Sequence, residues 1–334
     1  MPAKRTTLAD IARLTGLSTT TVSMILNNRG EQFKIKPETC QRVKQIAQQQ
    51  GYRANIYAKS LKTQRSNVVG LIIPDLTNYG FACTAKNLEK LCRENDLQLV
   101  IACSDDNPQQ EKIAIERLLD RQIDFLITAP THQDPNYYSK IKKQVPLLQL
   151  DRYVPNSGLN YVISDEQLKV STLVGYMINT YELKEFVYFG GQLELSPSKG
   201  RLEGFKQGCN AHQEVEQWIF QHTYQPESGY KMMNKAVQQL GHLPQAVFTA
   251  SYTILEGVLR YISENQKIDA VLQKKMHLAT FDDHHLLNAL PLHIHSIQQD
   301  HQQIAQHLFR LIQHYFNQQK LENCLVDCHI IYRD

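Results

Sequence analysis

No stretch of the chain approaches the roughly 18 consecutive apolar residues that a membrane-crossing helix needs. The first 25 residues, with Lys4, Arg5, Asp10 and Arg13 among them, lack the apolar core of a secretion signal. These absences lead to the expectation of a cytoplasmic protein with no membrane partner. Cysteine is present but unpatterned. The seven thiols (Cys40, Cys83, Cys92, Cys103, Cys209, Cys324 and Cys328) are odd in number and contain no Cys-x-x-Cys pair, which argues against a disulfide framework and against zinc-finger spacing. His284, His285, His293 and His295 fall late in the chain. In a sequence with 13 histidines they point to a polar surface rather than a metal site. Neither a metal nor a cofactor is expected.

Acidic residues are scarce at one end only. Residues 1–66 hold twelve Lys and Arg against Asp10, Glu31 and Glu38, a net charge of +9. The whole chain carries +3, so the remaining 268 residues sum to −6. A basic segment so sharply set apart points to a polyanion, because Lys and Arg that neutralise phosphates release condensed counterions. At 334 residues and 42% hydrophobic content, the chain can bury a core outside that segment and is long enough for two or three domains.

Within the basic segment, Thr7 and Asp10 have the spacing of a helix-capping pair, and Leu8, Ile11 and Ala12 follow as a short apolar stripe that Gly16 ends. Ser18 is suited to cap a second helix. Its Val22, Ile25 and Leu26 face inward, leaving Thr19, Thr20, Ser23, Met24 and Asn27 outward. Pro37 opens a third helix that runs through Val43, Ile46 and Ala47 and stops at Gly51. Helix, tight turn, helix and a basic surface make a helix-turn-helix unit. The outward face of the second helix is short-chained where a surface helix would ordinarily carry Lys and Glu. Short side chains let its backbone come close to base edges in a major groove, and a Thr methyl suits the thymine methyl.

The chain resembles the LacI/GalR family of bacterial transcription regulators. The resemblance is carried by "TLADIARLTGLSTTTVSMILN" (7–27), "GYRANIYAKSLKTQRSNVVGLIIPD" (51–75), "LDRYVPNSGLNYVISDEQ" (150–167) and "FDD" (281–283). "NNRGEQFKIKPET", "IACSDDNPQQE" and "YFGGQLELSPSKGRLEGF" are similar to the branch that regulates sucrose and fructose use. The resemblance implies that Thr19, Thr20 and Met24 read bases and that Arg29 and Lys34 reach phosphates or flanking bases. Thr7, Ser18, Thr21, Ser23 and Asn27 would complete that surface. It also implies a hinge helix over 55–62 that orders in the minor groove when two subunits meet. There Asn55, Ala58, Lys59, Leu61 and Lys62 are the expected DNA-contacting residues, and Leu61 is the wedge between base pairs. That stretch is too short to be helical alone, since isolated helices under about 12 to 15 residues are marginal in water. Ala54 stands where relatives commonly carry Pro.

Beyond residue 66 short β-rich runs (68–73, 97–102, 125–129, 146–150, 161–164, 186–189, 246–250 and 278–281) alternate with helical spacing, which predicts parallel sheets of βαβ units. The expected fold is therefore an all-α helix-turn-helix DNA-binding head plus an α/β core. The resemblance makes that core periplasmic-binding-protein-like, with two Rossmann-like subdomains. The expected domains are a head over 1–53, hinge and linker over 54–66, and a core over 67–334. Its N-subdomain would take about 67–163 and 295–323, its C-subdomain about 164–294 and 324–334.

Ligands of open α/β sheets bind outside the carboxyl ends of strands. After the run 186–189 come Gly190 and Gly191, then Ser196, Ser198, Lys199 and Arg201 around an expected helix start. This arrangement suits a phosphate or vicinal hydroxyls, although the spacing of a nucleotide P-loop is absent. Arg201 and Asp282 match the family's effector-contacting Arg and Asp. Asp151, Arg152, Asp75, Phe81 and Ser251, at other strand ends, complete the candidate effector set. A sugar-phosphate enzyme built on Asp282, Asp283 and His284 lacks any motif that supplies a nucleophile. A secreted binding protein would have no use for the basic head. The sequence thus points to a repressor of sucrose or fructose genes that binds a palindromic double-stranded operator as a homodimer. It would be released by a sugar or sugar phosphate, fructose or a fructose phosphate by the branch resemblance. A fructose-phosphate-responsive regulator that both represses and activates is the second reading. No leucine-heptad tail suggests a tetramer.

Overall fold

The computed structural model describes residues 6–52 and 65–333, so the expected hinge residues Asn55, Ala58, Lys59, Leu61 and Lys62 lie outside the described residues. Contacts divide the chain into two units, 1–66 and 67–334.

In the first unit, caps set the ends of three helices. Helix α1 (Leu8–Thr15) opens on a reciprocal capping box: Thr7 N donates to Asp10 Oδ2 at 3.0 Å and Asp10 N to Thr7 Oγ1 at 3.3 Å. It closes on Gly16, whose φ of 71° is left-handed and open to glycine without strain. Helix α2 (Thr19–Leu26) is capped by Ser18, whose Oγ accepts from Thr21 N at 3.1 Å. Helix α3 (Pro37–Gln49) begins with Pro37, where no backbone donor is wanted. Ile11, Ala12, Val22, Ile25, Val43 and Ala47 are buried together between the helices. A core of six side chains is small, so the caps carry a large share of the head's stability.

The second unit is built on two sheets of six strands. The first lobe carries β1 (Val68–Ile73), β2 (Gln98–Cys103), β3 (Phe125–Thr128), β4 (Leu147–Leu150) and β5 (Asn160–Ser164), with α4 (Tyr79–Glu94), α5 (Pro108–Asp120) and α6 (Pro135–Lys142) between them. The second carries α7 (Glu166–Tyr181), β6 (Glu185–Gly190), α8 (Ser196–Asn210), β7 (Glu216–Gln221), α9 (Pro226–Leu240), β8 (Ala246–Thr249), α10 (Tyr252–Glu264), α11 (Ile268–Leu272), β9 (His277–Phe281) and β10 (Ile294–Gln299). The chain then returns to the first lobe for α12 (His301–Phe316) and β11 (Cys324–Val326), and ends in the second with β12 (Cys328–Ile331). The sheet orders are β11-β5-β4-β3-β1-β2 and β12-β10-β9-β8-β6-β7, parallel throughout except where β12 runs against β10. Strands covered on both faces read as continuous apolar runs, as VVGLII of β1 does.

This topology corrects the expected lobe boundaries. Residues 294–297 pair with β9 and 296–299 with β12 in the second sheet, and 324–326 pair with β5 in the first. The late portion of the first lobe is therefore 300–326 rather than 295–323. The chain crosses between lobes after β5, after β10 and between β11 and β12.

Helices α9 and α10 pack so closely at Gly229 and Gly257 that a Cβ on Gly257 would overlap the Pro226 carbonyl oxygen and lie 2.6 Å from Tyr230 N. Backbone cannot step aside as a flexible side chain does. Gly257→Ala is expected to destabilise the core by about 1–3 kcal/mol through overpacking, and a thermal melt lowered by several degrees against the parent checks this. An unchanged melt would mean that the helices separate freely.

Candidate effector cleft and nucleic-acid interface

The helix-turn-helix surface has the composition expected of it. Thr19, Thr20 and Asn27 are exposed, while Ser23 and Met24 are half-buried, and Met24 lies outside the head's core cluster. Three of the predicted contact residues already hold the fold together. Thr7 and Ser18 are caps, and the Thr21 hydroxyl lies 2.8 Å from that of Ser18. Asn27 donates to Ser23 O at 2.7 Å, which fixes its amide along the helix. Arg29 and Lys34 are exposed in the loop before α3, Lys34 with a left-handed φ of 53°. Phe33 is 46% exposed beside them, an apolar side chain that the charge pattern alone does not single out.

In the core, the carboxyl ends of both sheets face a shared cleft of about 560 Å³. This lies within the usual range of small-ligand sites, roughly 300–1,000 Å³. Asp75, Phe81, Asp151 and Arg152 line it from the first lobe, and Arg201, Ser251 and Asp282 from the second. Asp151 (φ 62°) and Asp282 (φ 71°) both stand in left-handed backbone immediately after strands. That conformation is uncommon outside glycine and tolerated best by Asn and Asp. Asp75 accepts from Thr77, and Ser251 caps α10 by accepting from Ile254 N. The remaining predicted residues sit behind the wall. Ser196 Oγ accepts from Tyr153 N at 3.0 Å, and buried Ser198 bonds to Tyr224 OH at 2.8 Å.

Lys199 corrects the expectation of a Lys199–Arg201 pair: it is exposed and does not line the cleft. Residues two apart on a helix point in nearly opposite directions, so α8 cannot present both. The cation that accompanies Arg201 in the cleft is instead Arg152 of the other lobe, held by Asp106 at 2.5 Å.

Arg201 is buried. Nη1 donates to Ala250 O at 2.6 Å and Nη2 to Glu166 Oε1 at 2.8 Å, and the guanidinium carbon lies 3.8 Å from the centre of the Phe281 ring. Glu166 was not foreseen, although it stands within the stretch "ISDEQ". Burial pushes its carboxyl up to about 7 despite the opposing pull of Arg201, and the Asp151 charge adds to the rise. Burial likewise raises Asp151, against the pull of Arg201 and Arg152. Among the described residues, Nε of Arg201 and Nε of Arg152 are buried donors without a hydrogen-bond partner. The nearest acid to the second, Asp151 Oδ2 at 3.8 Å, is too far to bond. Two arginines and the acids Asp151 and Asp282 on the wall of one cleft suit a ligand with several oxygens, some accepting and some donating.

Aromatic rings form the lip. Tyr79 of the first lobe meets His284 of the second at 4.4 Å between ring centres, and Tyr252 stacks on His284 at 4.8 Å. The acids beside His284 are engaged in holding the fold: Asp282 accepts from Gln299, and Asp283 from Ser296 and Arg333.

A helix-turn-helix head in the same chain as a two-lobed small-ligand cleft defines a ligand-responsive DNA-binding regulator. Residues 7–55 match the family described as "Bacterial regulatory proteins, lacI family", and residues 182–334 match "Periplasmic binding protein-like domain". The sucrose operon repressor of Klebsiella pneumoniae is 41% identical, covering 93% of this chain and 92% of its own. The fructose operon regulatory protein of Vibrio cholerae is 34% identical, covering 90% of each. The chain belongs to the LacI family of transcriptional regulators and is not an enzyme. Among solved structures, the Cra transcriptional dual regulator of Pseudomonas putida in complex with fructose 1-phosphate is 29% identical. It superimposes with a TM-score of 0.74 over 80% of this chain and 99% of that one.

Proposed function

We propose that this LacI-family regulator represses genes for sucrose or fructose utilisation by binding a palindromic operator as a homodimer, and that fructose or a fructose phosphate in the core cleft releases it. The observation that carries the effector assignment is the convergence of two arginines, Arg152 and Arg201, with two aspartates, Asp151 and Asp282, on the wall of one cleft. The cations can hold a phosphate or ring oxygens, and the carboxylates can accept from sugar hydroxyls. The relatives support this reading, being a sucrose repressor, a fructose regulator and a fructose 1-phosphate complex. The last is a dual regulator, which gives the second reading, activation at some promoters, its support. On the DNA side, Thr19, Thr20 and Met24 are proposed to read bases, and Arg29 and Lys34 to hold the backbone. To shift the operator-binding form from 99:1 to 1:99, the effector must favour the other form by about 5.5 kcal/mol.

Glu166 allows the effector's charge to be read from pH. A buried carboxyl raised from 4.5 to about 7 binds more protons folded than unfolded between those values. Its contribution to stability therefore falls as pH rises through that window. A phosphate brought to Arg201 adds negative charge beside Glu166 and favours its protonated form, so Glu166 takes up a proton when the phosphate binds. Between pH 7 and 8.5, where the phosphate is already a dianion, a phosphorylated effector should bind more weakly as pH rises, by up to about tenfold per unit. A free sugar adds no charge beside Glu166 and should hold its affinity. The measurement is fluorescence anisotropy of operator release, titrating sucrose, fructose, fructose 1-phosphate and fructose 6-phosphate at each pH. Release by none of the four would overturn the effector assignment. A phosphorylated effector with a flat profile, or one unchanged in Glu166→Gln, would remove Glu166 from the site.

A further inference from the structure

The loop after β9 carries two residues of the cleft wall, Asp282 and His284, on either side of Asp283, which does not line the cleft. Asp283 is held from behind. Its Oδ1 accepts from Arg333 Nη2 at 2.6 Å and from Ser296 Oγ at 2.7 Å, with the Arg333 and Asp283 side chains only 11% and 7% exposed. The same guanidinium donates through Nε to Asn288 Oδ1 at 2.9 Å and through Nη1 to Ile294 O at 3.0 Å and Ser296 Oγ at 2.7 Å. The Arg333 backbone N donates to His295 Nδ1 at 3.0 Å, anchoring the residue itself to β10. One side chain just beyond β12 thus fastens the segment between β9 and β10 at its beginning, middle and end. Between those points the segment has a single short 3₁₀ turn and no strand pairing of its own. Asp282 needs such support, because its left-handed φ of 71° persists only where its surroundings hold it. Its own carboxylate is tied to β10 by the 2.7 Å bond from Gln299.

We propose that Arg333 is a positioning residue for effector recognition, acting through Asp283 to hold Asp282 and His284 in the geometry the ligand meets. It touches neither the cleft nor the ligand. The guanidinium makes the loop one rigid part of the second lobe, so that Asp282 is preorganised before a sugar arrives and the binding free energy is not spent on ordering it. The proposal rests on the effector reading above for its ligand, while its structural half stands without any ligand.

The test uses the full chain and the variants Arg333→Gln, Asp282→Asn and the double variant, with fructose and fructose 1-phosphate as probes in the operator-release titration. Arg333→Gln is expected to raise the half-release concentration by at least about tenfold, the scale of removing one partner of a buried ion pair, while operator affinity without sugar stays the same. In the Asp282→Asn background the same change should cost less than about twofold, because residues acting through one contact are not additive. An unchanged half-release concentration, or an equal loss in both backgrounds, overturns the proposal. In sugar-free protein, amide exchange across 282–290 should quicken at least about tenfold in Arg333→Gln while that of β6 and β8 does not change. No change there, or a uniform change over the whole lobe, also overturns it. If neither probe releases the parent protein, the effector reading fails and the exchange result alone decides Arg333. Should Arg333→Gln fail to fold, Arg333→Lys, which keeps a cation at Asp283 and loses the fork, carries the same comparisons.

Discussion

Arg201→Ala should leave operator binding intact and abolish release by the effector, raising the half-release concentration by about two to three orders of magnitude. The size reflects the site: truncating one partner of a desolvated, hydrogen-bonded charge pair costs about 2–5 kcal/mol of binding, and Arg201 holds Glu166 and Ala250 O while stacking on Phe281. The fold should survive better than the removal of a buried cation suggests. Burial already pushes the Glu166 carboxyl up to about 7, so the acid left behind can take a proton instead of remaining an unpaired charge. The measurement is operator anisotropy with and without sugar, beside a thermal melt. Full induction by the variant would remove Arg201 from the effector site. Loss of operator binding in a folded variant would mean that Arg201 maintains the DNA-binding form itself.

Operator affinity should fall about 10⁴-fold between 50 and 200 mM monovalent salt. Each head region, residues 1–66, carries +9 while the rest of the chain carries −6, so the cations available to phosphates are concentrated there. If about four per subunit of a dimer meet phosphates, about eight counterions are released, and a logarithmic slope near −7 results. The acidic remainder keeps the core from adding to the contact. A slope shallower than about −2 for a specific operator would show that Arg29, Lys34 and their neighbours are solvated rather than engaged. Sugar binding in the absence of DNA should change little over the same range, because its charges are buried and screened weakly.

The head was legible in the sequence because its signals are local. A capping box, a left-handed glycine and an N-terminal proline each act within one turn, and the three helices begin where Thr7, Ser18 and Pro37 place them, the first ending at Gly16. Most interior strands were legible for a related reason, since a strand covered on both faces must be largely apolar, as VVGLII of β1 and FVYF within β6 are. The strands that escaped are at or near sheet edges or carry polar side chains. β7 lies at an edge and has one buried residue, Phe220, β10 reads IHSIQQ, and β11 has three residues. Their partners lie far away in sequence, so pairing rather than composition makes them strands. In the cleft, Asp151, Arg152, Arg201 and Asp282 were accessible because strand ends are where such ligands sit. Lys199 was misplaced because closeness in sequence is not closeness on a helix surface. Glu166 and Tyr224 escaped because their roles exist only once α7 and the segment after β7 close around Arg201.

The threefold passage of the chain between lobes also bears on how the protein is made. The first five strands of the first lobe have emerged by residue 164, yet α12, which covers that sheet, and β11, which pairs with its β5 edge, arrive only with residues 301–326. At a synthesis rate of about 5–20 residues per second, roughly 8–30 s separate the two. During that interval the nascent first lobe shows an apolar face only partly covered by α4 and an open strand edge to its surroundings, while the second lobe completes most of its own sheet. The order of translation thus lets the later-encoded lobe lay down five of its six strands before the earlier-encoded one receives α12, and both sheets gain their last strand only with residues 324–331.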